Sequence, residues 1–195
     1  MRDTNLLFVG VGGQGVLTAS DIAAEVGLSV GLDAKKSEIH GFSQRGGVVE
    51  SHVRWGARVG SPTAELGTVD YLVSFEILEG ARLIETLRPG GVVISNTQRL
   101  VPMSVSSGEF SYPEREEIVR SLRSRADKIV LVDALEIAEQ LGNSRLVNTI
   151  VLGALSRTMD MDPAIWLTMI ERRVPPRYVE LNRQAFWEGR ATLEQ

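Results

Sequence analysis

Two stretches of this sequence hold residues whose types and spacing could do chemistry. The first is Gly10-Val11-Gly12-Gly13-Gln14-Gly15, which has the glycine spacing of a dinucleotide or phosphate turn. Glycine permits a tight turn with positive φ and lets a pyrophosphate approach the backbone. The free amides and the dipole of a following helix favour negative charge. Asp33 falls near where an acidic residue would hold a ribose hydroxyl. The same glycines would equally serve a strand-to-helix turn with close packing, so the dinucleotide reading stays open. The second stretch is Lys35-Lys36-Ser37-Glu38-Ile39-His40-Gly41-Phe42-Ser43-Gln44-Arg45-Gly46-Gly47. Its cations can engage phosphate or carboxylate, Arg45 in bidentate fashion, and its glycines let the backbone bend around a ligand or partner. His40, among Lys36, Ser37, Glu38 and Arg45, is read in a loop and is the better functional histidine; His52 alternates with Val53 and is expected to be structural.

Composition narrows what these stretches can serve. The 195 residues contain no Cys, so the chain can form no disulfide, thiolate zinc site, Cys nucleophile or cysteine-held iron–sulfur cluster. Net charge is −4, too acidic for a dedicated nucleic-acid binder. Residues 35–58 are nonetheless +3, through Lys35, Lys36, Arg45, Arg54 and Arg58 against Glu38 and Glu50. The longest uncharged stretch, Thr4 to Ser20, is broken by four glycines where a membrane helix or signal would need continuity. A cytoplasmic protein with no membrane segment and no metal site is expected.

The elements that must position these residues alternate. Leu6 to Val9 reads as a buried parallel strand that stops at the glycines. Val16, Leu17, Ala19, Ile22, Ala23 and Val26 mark one helical face, with Gly27 as a stop, and Val30 to Ala34 reads as a second strand. Residues 35–47 show no period. Strands are expected at 48–54, 71–75, 92–95 and 129–132, and helices at 79–87, at 113–125 and after an Asp133 cap. Three helical patterns close the chain: 146–158, 163–172 after an Asp162 cap, and 178–189. The expectation is one α/β domain over 1–195, a doubly wound, mostly parallel, open Rossmann-like sheet in 1–142 with a C-terminal helical extension in 143–195.

Taken together, the two glycine-bearing stretches give a specific resemblance. The order of Gly-Val-Gly-Gly-Gln-Gly, an intervening strand and the Lys-Lys-Ser segment resembles the gamma-type domain of 2-oxoacid:ferredoxin oxidoreductases. It continues through Asp70, Leu87-Arg88-Pro89-Gly90-Gly91, Asn96, Asn148, Leu152-Gly153-Ala154, Asn182 and Ala185-Phe186, nearly the whole chain. The Lys-Lys-Ser-Glu-Ile-His-Gly form resembles the small, beta, subunit of the indolepyruvate branch rather than the pyruvate or 2-oxoglutarate relatives.

That resemblance implies a subunit supporting coenzyme A-dependent oxidative decarboxylation of an arylpyruvate, without activity or catalytic residues of its own. Thiamine diphosphate and the iron–sulfur clusters are implied on a large alpha subunit, with ferredoxin an indirect partner. Gly10, Gly12, Gly13, Gln14, Gly15, Gly46 and Gly47 would offer backbone contacts to coenzyme A or shape the facing cleft. Lys35, Lys36 and Arg45 would meet phosphates or partner carboxylates, and Ser37 and His40 would give polar contacts. A ligand-free assembly scaffold and, more distantly, an independent NAD- or FAD-binding enzyme are the alternatives. Self-association of the isolated chain is left open.

Overall fold

The computed structural model describes residues 3–40, 46–101 and 111–192. In chain order its elements are β1 (Thr4–Val11), α1 (Val16–Ser29), β2 (Asp33–His40), β3 (Val48–Gly56), β4 (Val69–Ser74), α2 (Ile77–Arg82), β5 (Leu87–Asn96), α3 (Arg115–Arg123), β6 (Ala126–Val132), α4 (Ala134–Gln140), α5 (Val147–Arg157), α6 (Pro163–Arg173) and α7 (Val179–Ala191). The strands form one sheet in the order β2-β3-β1-β4-β5-β6. β1, β4, β5 and β6 pair in parallel, while β3 runs antiparallel to both β1 and β2.

Leu6, Leu7, Phe8 and Val9 are buried because β1 is covered on both faces. Leu6 and Phe8 join the core built with α1, α5, α6 and α7, whereas Leu7 and Val9 join the core under α2 and α3. The doubly wound, mostly parallel sheet expected from the sequence is therefore present. The C-terminal helices share the first core with α1, and Trp166 of α6 lies 6.2 Å from Trp55 of β3, centroid to centroid. Where α5 crosses α7, Gly153 faces the Phe186 carbonyl and Gly189 the Ile150 carbonyl, leaving no room for a side chain on either glycine. Among the described residues no helix is long and apolar enough to cross a membrane.

Several elements differ from the sequence expectation, each for a physical reason. Residues 35–40 are not loop: with Asp33 and Ala34 they make β2, which replaces the expected strand at 30–34. β2 is an edge strand, and its polar residues give no hydrophobic alternation to read. α1 does not stop at Gly27 but runs on to Ser29; Gly27 lies against the Trp55 indole, so its missing Cβ serves packing. The expected helix over 79–87 ends at Arg82, with a single 3-10 turn at Ile84–Thr86. Pro89-Gly90-Gly91 lies inside β5, where the register shifts. Asp133 precedes α4, but its carboxylate accepts from the Thr97 hydroxyl, and the Ala134 N–H is taken by Asn96 instead. The Asp162 cap forms as expected, accepting the Ala164 N–H at 2.9 Å.

From β1 the chain leaves through α1 toward the β2 edge, and from β4 it leaves through α2 toward β5. The carboxyl ends of these neighbouring parallel strands therefore border a crevice at a topological switch point, where open α/β sheets hold ligands.

Candidate functional site

The glycine turn fills one wall of that crevice. A Cβ on Gly10 would sit 2.8 Å from Gln14 Oε1 and 2.9 Å from Phe75 Cβ, so the strand end needs glycine for room. Gly13 (φ 106°) and Gly15 (φ 85°) need it for conformation, since both lie at left-handed φ. Gly15 is the N-cap of α1 and no side chain caps the helix, so its first-turn amides are left for water or a ligand.

Gln14 ties the turn to the sheet. Its Oε1 accepts the Val11 N–H at 2.7 Å, and its Nε2 donates to Phe75 O and to Gln98 Oε1, each at 2.9 Å. Buried Asn96 donates to the same Phe75 carbonyl at 3.0 Å and accepts the Ala134 N–H at 3.1 Å. These amides link the ends of β1, β4 and β5 and the start of α4. The Gly12 N–H donates to Gly47 O at 2.8 Å, which brings the two glycine motifs of the sequence into contact.

The rest of the basic segment is spread along β2. Register rows run His40, Val49, Gly10 and Lys36, Val53, Leu6, so the lysines lie about 13 Å down the strand from the row of the turn. Lys35 donates to Val59 O at 2.5 Å and pairs with Asp33 at 3.2 Å; Lys36 pairs with Asp21 of α1 and with Glu38. Ser37 shares a row with His52 and Leu7. Gly46 adopts φ 77°. Arg45 and the His40 side chain lie outside the described residues.

Asp33, the ribose carboxylate of a dinucleotide reading, sits in the row of Gly56, at the end of the sheet where β1 begins. Its Oδ2 accepts the Val59 N–H at 2.7 Å, and that bond, followed by Lys35, holds its carboxyl below the ordinary value. It is roughly a whole strand length, about 23 Å, from the turn.

Sequence reasoning missed a second buried cluster beside the crevice. Glu76, 1% exposed, follows β4 and caps α2: its Oε2 accepts the Glu79 N–H at 2.8 Å, and its Oε1 accepts Tyr112 OH at 2.5 Å and the Leu100 N–H at 3.2 Å. Burial, then the bond to Glu76, pushes the Tyr112 phenol well above its ordinary value; Arg99 stacks 4.4 Å from its ring. Burial also raises the Glu79 carboxyl, against the opposing pull of Arg82, and raises Glu50. His52 is buried, accepts the Ala64 N–H on Nδ1 at 3.3 Å and is pushed down by burial and then by Arg54, which fits the structural role expected for it. The usable signal was Glu76-Ile77-Leu78-Glu79 directly after a strand, an acidic pair at N-cap and third-residue spacing.

A cavity of about 510 Å³ opens on the turn, lined by Gly13, Gln14, Gly15, Gln98, Arg145 and Asn148 among others. Asn148 lies against Gly15, where an added Cβ would be 3.3 Å from its Nδ2. An amide-rich turn, an uncapped helix start and an arginine at one cleft can hold an anion by backbone and guanidinium hydrogen bonds.

Known proteins share this organisation. Residues 5–192 match the family described as pyruvate ferredoxin/flavodoxin oxidoreductase. The chain is 41% identical over 187 residues to indolepyruvate oxidoreductase subunit IorB of Archaeoglobus fulgidus, covering 95% of this chain and 92% of that one. It is 35% identical over 189 residues to the subunit of the same name from Pyrococcus horikoshii, covering 95% and 94%. Among solved structures it superposes on pyruvate oxidoreductase subunit PORC of Thermotoga maritima with a TM-score of 0.76, at 22% identity over 100% of this chain and 98% of that one. A TM-score of 0.76 also relates it, at 17% identity, to 31% of a chain of Magnetococcus marinus 2-oxoglutarate:ferredoxin oxidoreductase, solved with 2-oxoglutarate, coenzyme A and succinyl-CoA bound; 98% of the present chain is covered.

Proposed function

The chain belongs to the pyruvate ferredoxin/flavodoxin oxidoreductase family, in its gamma-type branch, and on that premise we propose that it is the small subunit of an indolepyruvate-type 2-oxoacid:ferredoxin oxidoreductase. The complex would convert an arylpyruvate and coenzyme A to an aryl-acetyl-CoA and carbon dioxide, releasing one proton and passing two electrons to ferredoxin. Thiamine diphosphate, when bound to a large partner subunit, supplies the decarboxylation chemistry. With no cysteine in its sequence, this chain cannot ligate an iron–sulfur cluster through thiolates, so the clusters are assigned to that partner as well. The chain would be inactive alone.

Its own residues would dock coenzyme A and help close the cleft. The observation that carries this reading is the bond from Gly12 N–H to Gly47 O, which sets the glycine turn and the end of the basic segment side by side above the switch-point crevice. Gly13 and Gly15 offer amides there, the Gly12 N–H being taken by Gly47 O, and Arg45 and His40 follow from the same segment. Lys35 and Lys36 would act lower on β2, after exchanging their internal carboxylate partners for phosphate or for a partner chain.

Those internal pairs also favour the second reading, a scaffold in which β2 is an interface and the turn holds nothing. An anaerobic assay of the complex reconstituted with its large subunit separates the two, using indolepyruvate, phenylpyruvate and pyruvate as substrates. Docking predicts a raised KM for coenzyme A in Arg45→Ala with assembly intact. An unchanged KM, or a complex that prefers pyruvate, counts against the docking role or the indolepyruvate assignment respectively.

A further inference from the structure

The cavity at the glycine turn does not end there. Through Arg145 and Asn148 it adjoins a larger one, about 690 Å³, enclosed by the first turns of α1, the 142–149 segment and the connection from α6 to α7. Among the described residues, neither cavity is lined by a single carboxylate. Three arginines reach the larger cavity. Arg173 is held by Asp21 and Glu25, but Arg145 and Arg177 have no carboxylate partner among the described residues, and Arg177 stacks 4.8 Å from the Tyr178 ring.

The lining divides by chemistry. Ile22, Leu146, Ile170 and Leu181 give an apolar floor. Thr149 and Asn182, both buried, form a fixed polar wall: Thr149 Oγ1 donates to Asn182 Oδ1 at 2.7 Å, and Asn182 Nδ2 donates to Tyr178 O at 2.9 Å. Unpaired guanidinium groups at a rim without acids attract phosphate, which they bind bidentately. An apolar floor beside side-chain amides suits a heterocyclic base, and the volume falls within the usual range for such sites.

The geometry points to one elongated site for a phosphorylated nucleotide, running from the glycine turn past Arg145 and Asn148 into the larger cavity, with Arg145 and Arg177 on its phosphates. The site deepens the reading of the turn as a phosphate dock and rests on that reading at one end only. A nucleotide could arrive as part of coenzyme A or as a free adenine nucleotide.

Calorimetric titration of the full chain and of the reconstituted complex with adenosine 3′,5′-bisphosphate and with ADP tests the site. Both arginines are exposed in cavity rims, so Arg145→Ala/Arg177→Ala should keep the wild-type melting curve. The expected result is binding that weakens about tenfold or more in this double variant. Displacement of the bound nucleotide by coenzyme A assigns the site to the coenzyme; retention assigns it to a free nucleotide. No binding to chain or complex, or equal binding by the double variant, overturns the inference. A KM for coenzyme A that responds to Arg45→Ala but not to the double variant, in a chain that binds neither nucleotide, overturns the site and leaves the docking role standing. Nucleotide binding through Arg145 in a chain whose complex lacks 2-oxoacid activity does the reverse.

Discussion

The Gly12 N–H reaches the Gly47 carbonyl at 2.8 Å, joining the turn after β1 to the segment that enters β3. Because β3 lies directly beside β1, with Val11 opposite Val48, the two motifs meet at one end of a shared strand pair. Crowding at this end sets the first expectation. Gly10→Ala places a methyl against Gln14 Oε1, Phe75 and Val16, and such overpacking costs about 1–3 kcal/mol. Gly13→Ala meets no atom within 4 Å and is strained only through its φ of 106°, at a cost of about 1–2 kcal/mol. Urea denaturation of both variants should show loss of stability, with a displaced turn only in the first, visible as altered amide shifts at Gln14 and Phe75.

Gln14→Glu keeps an acceptor for the Val11 N–H but removes the donors to Phe75 O and Gln98 Oε1, setting oxygen against oxygen. Leaving such groups unmet costs about 1–3 kcal/mol. Under the docking role the added negative charge also repels phosphate. The expected outcome is a lower urea midpoint together with a KM for coenzyme A raised more than kcat is lowered.

Much of this architecture could be read from the residues, and the failures have definite causes. β1, the turn and α1 are announced by an apolar run, a glycine cluster and a helical period, all local signals. β2 is silent because an edge strand bearing Lys35, Lys36 and Glu38 has little apolar surface to hide. The direction of β3 is set by pairing with β1, a partner distant in sequence, and that same choice puts Asp33 at the wrong end of the sheet for a ribose contact. The spacing of Glu76 and Glu79 signals a helix cap, but the burial of Glu76 depends on Tyr112 and the Leu100 amide, which that spacing does not supply.

Glu50 and His52, two residues apart on β3, should tilt stability in opposite pH ranges. Burial raises the Glu50 carboxyl, so the folded chain keeps a proton that the unfolded chain releases near 4.5; stability from this group is lost as pH rises from there through the folded value. Burial lowers the His52 imidazole, so its contribution is present above 6.5 and is lost as pH falls from 6.5 through the folded value. Urea midpoints measured across both windows should lose the first slope in Glu50→Gln and the second in His52→Gln. Unchanged slopes would show that these groups do not govern the profile.

Tyr112 should ionise well above the ordinary phenol range, since burial and the adjacent Glu76 carboxylate both oppose a phenolate. Ultraviolet titration should lose a component lying above the ordinary phenol range in Tyr112→Phe. Among the described residues the same variant leaves Glu76 Oε1 with only the Leu100 N–H, at a cost of about 1–3 kcal/mol. For a chain of this length that lowers Tm by roughly 2–4 °C per kcal/mol.

The position of β2 has a dynamic consequence. Among the described residues this strand touches the sheet only through β3, so its outer amides face no described partner strand and its detachment breaks a single described ladder. β1 and the glycine turn are held from both sides and would survive that event. Sub-global opening should therefore begin at the β2 edge, and its amides should exchange with solvent deuterium sooner than those of Leu7 or Val9. The segment carrying Lys35, Lys36 and Ser37 can thus loosen and re-form while the crevice it borders keeps its shape.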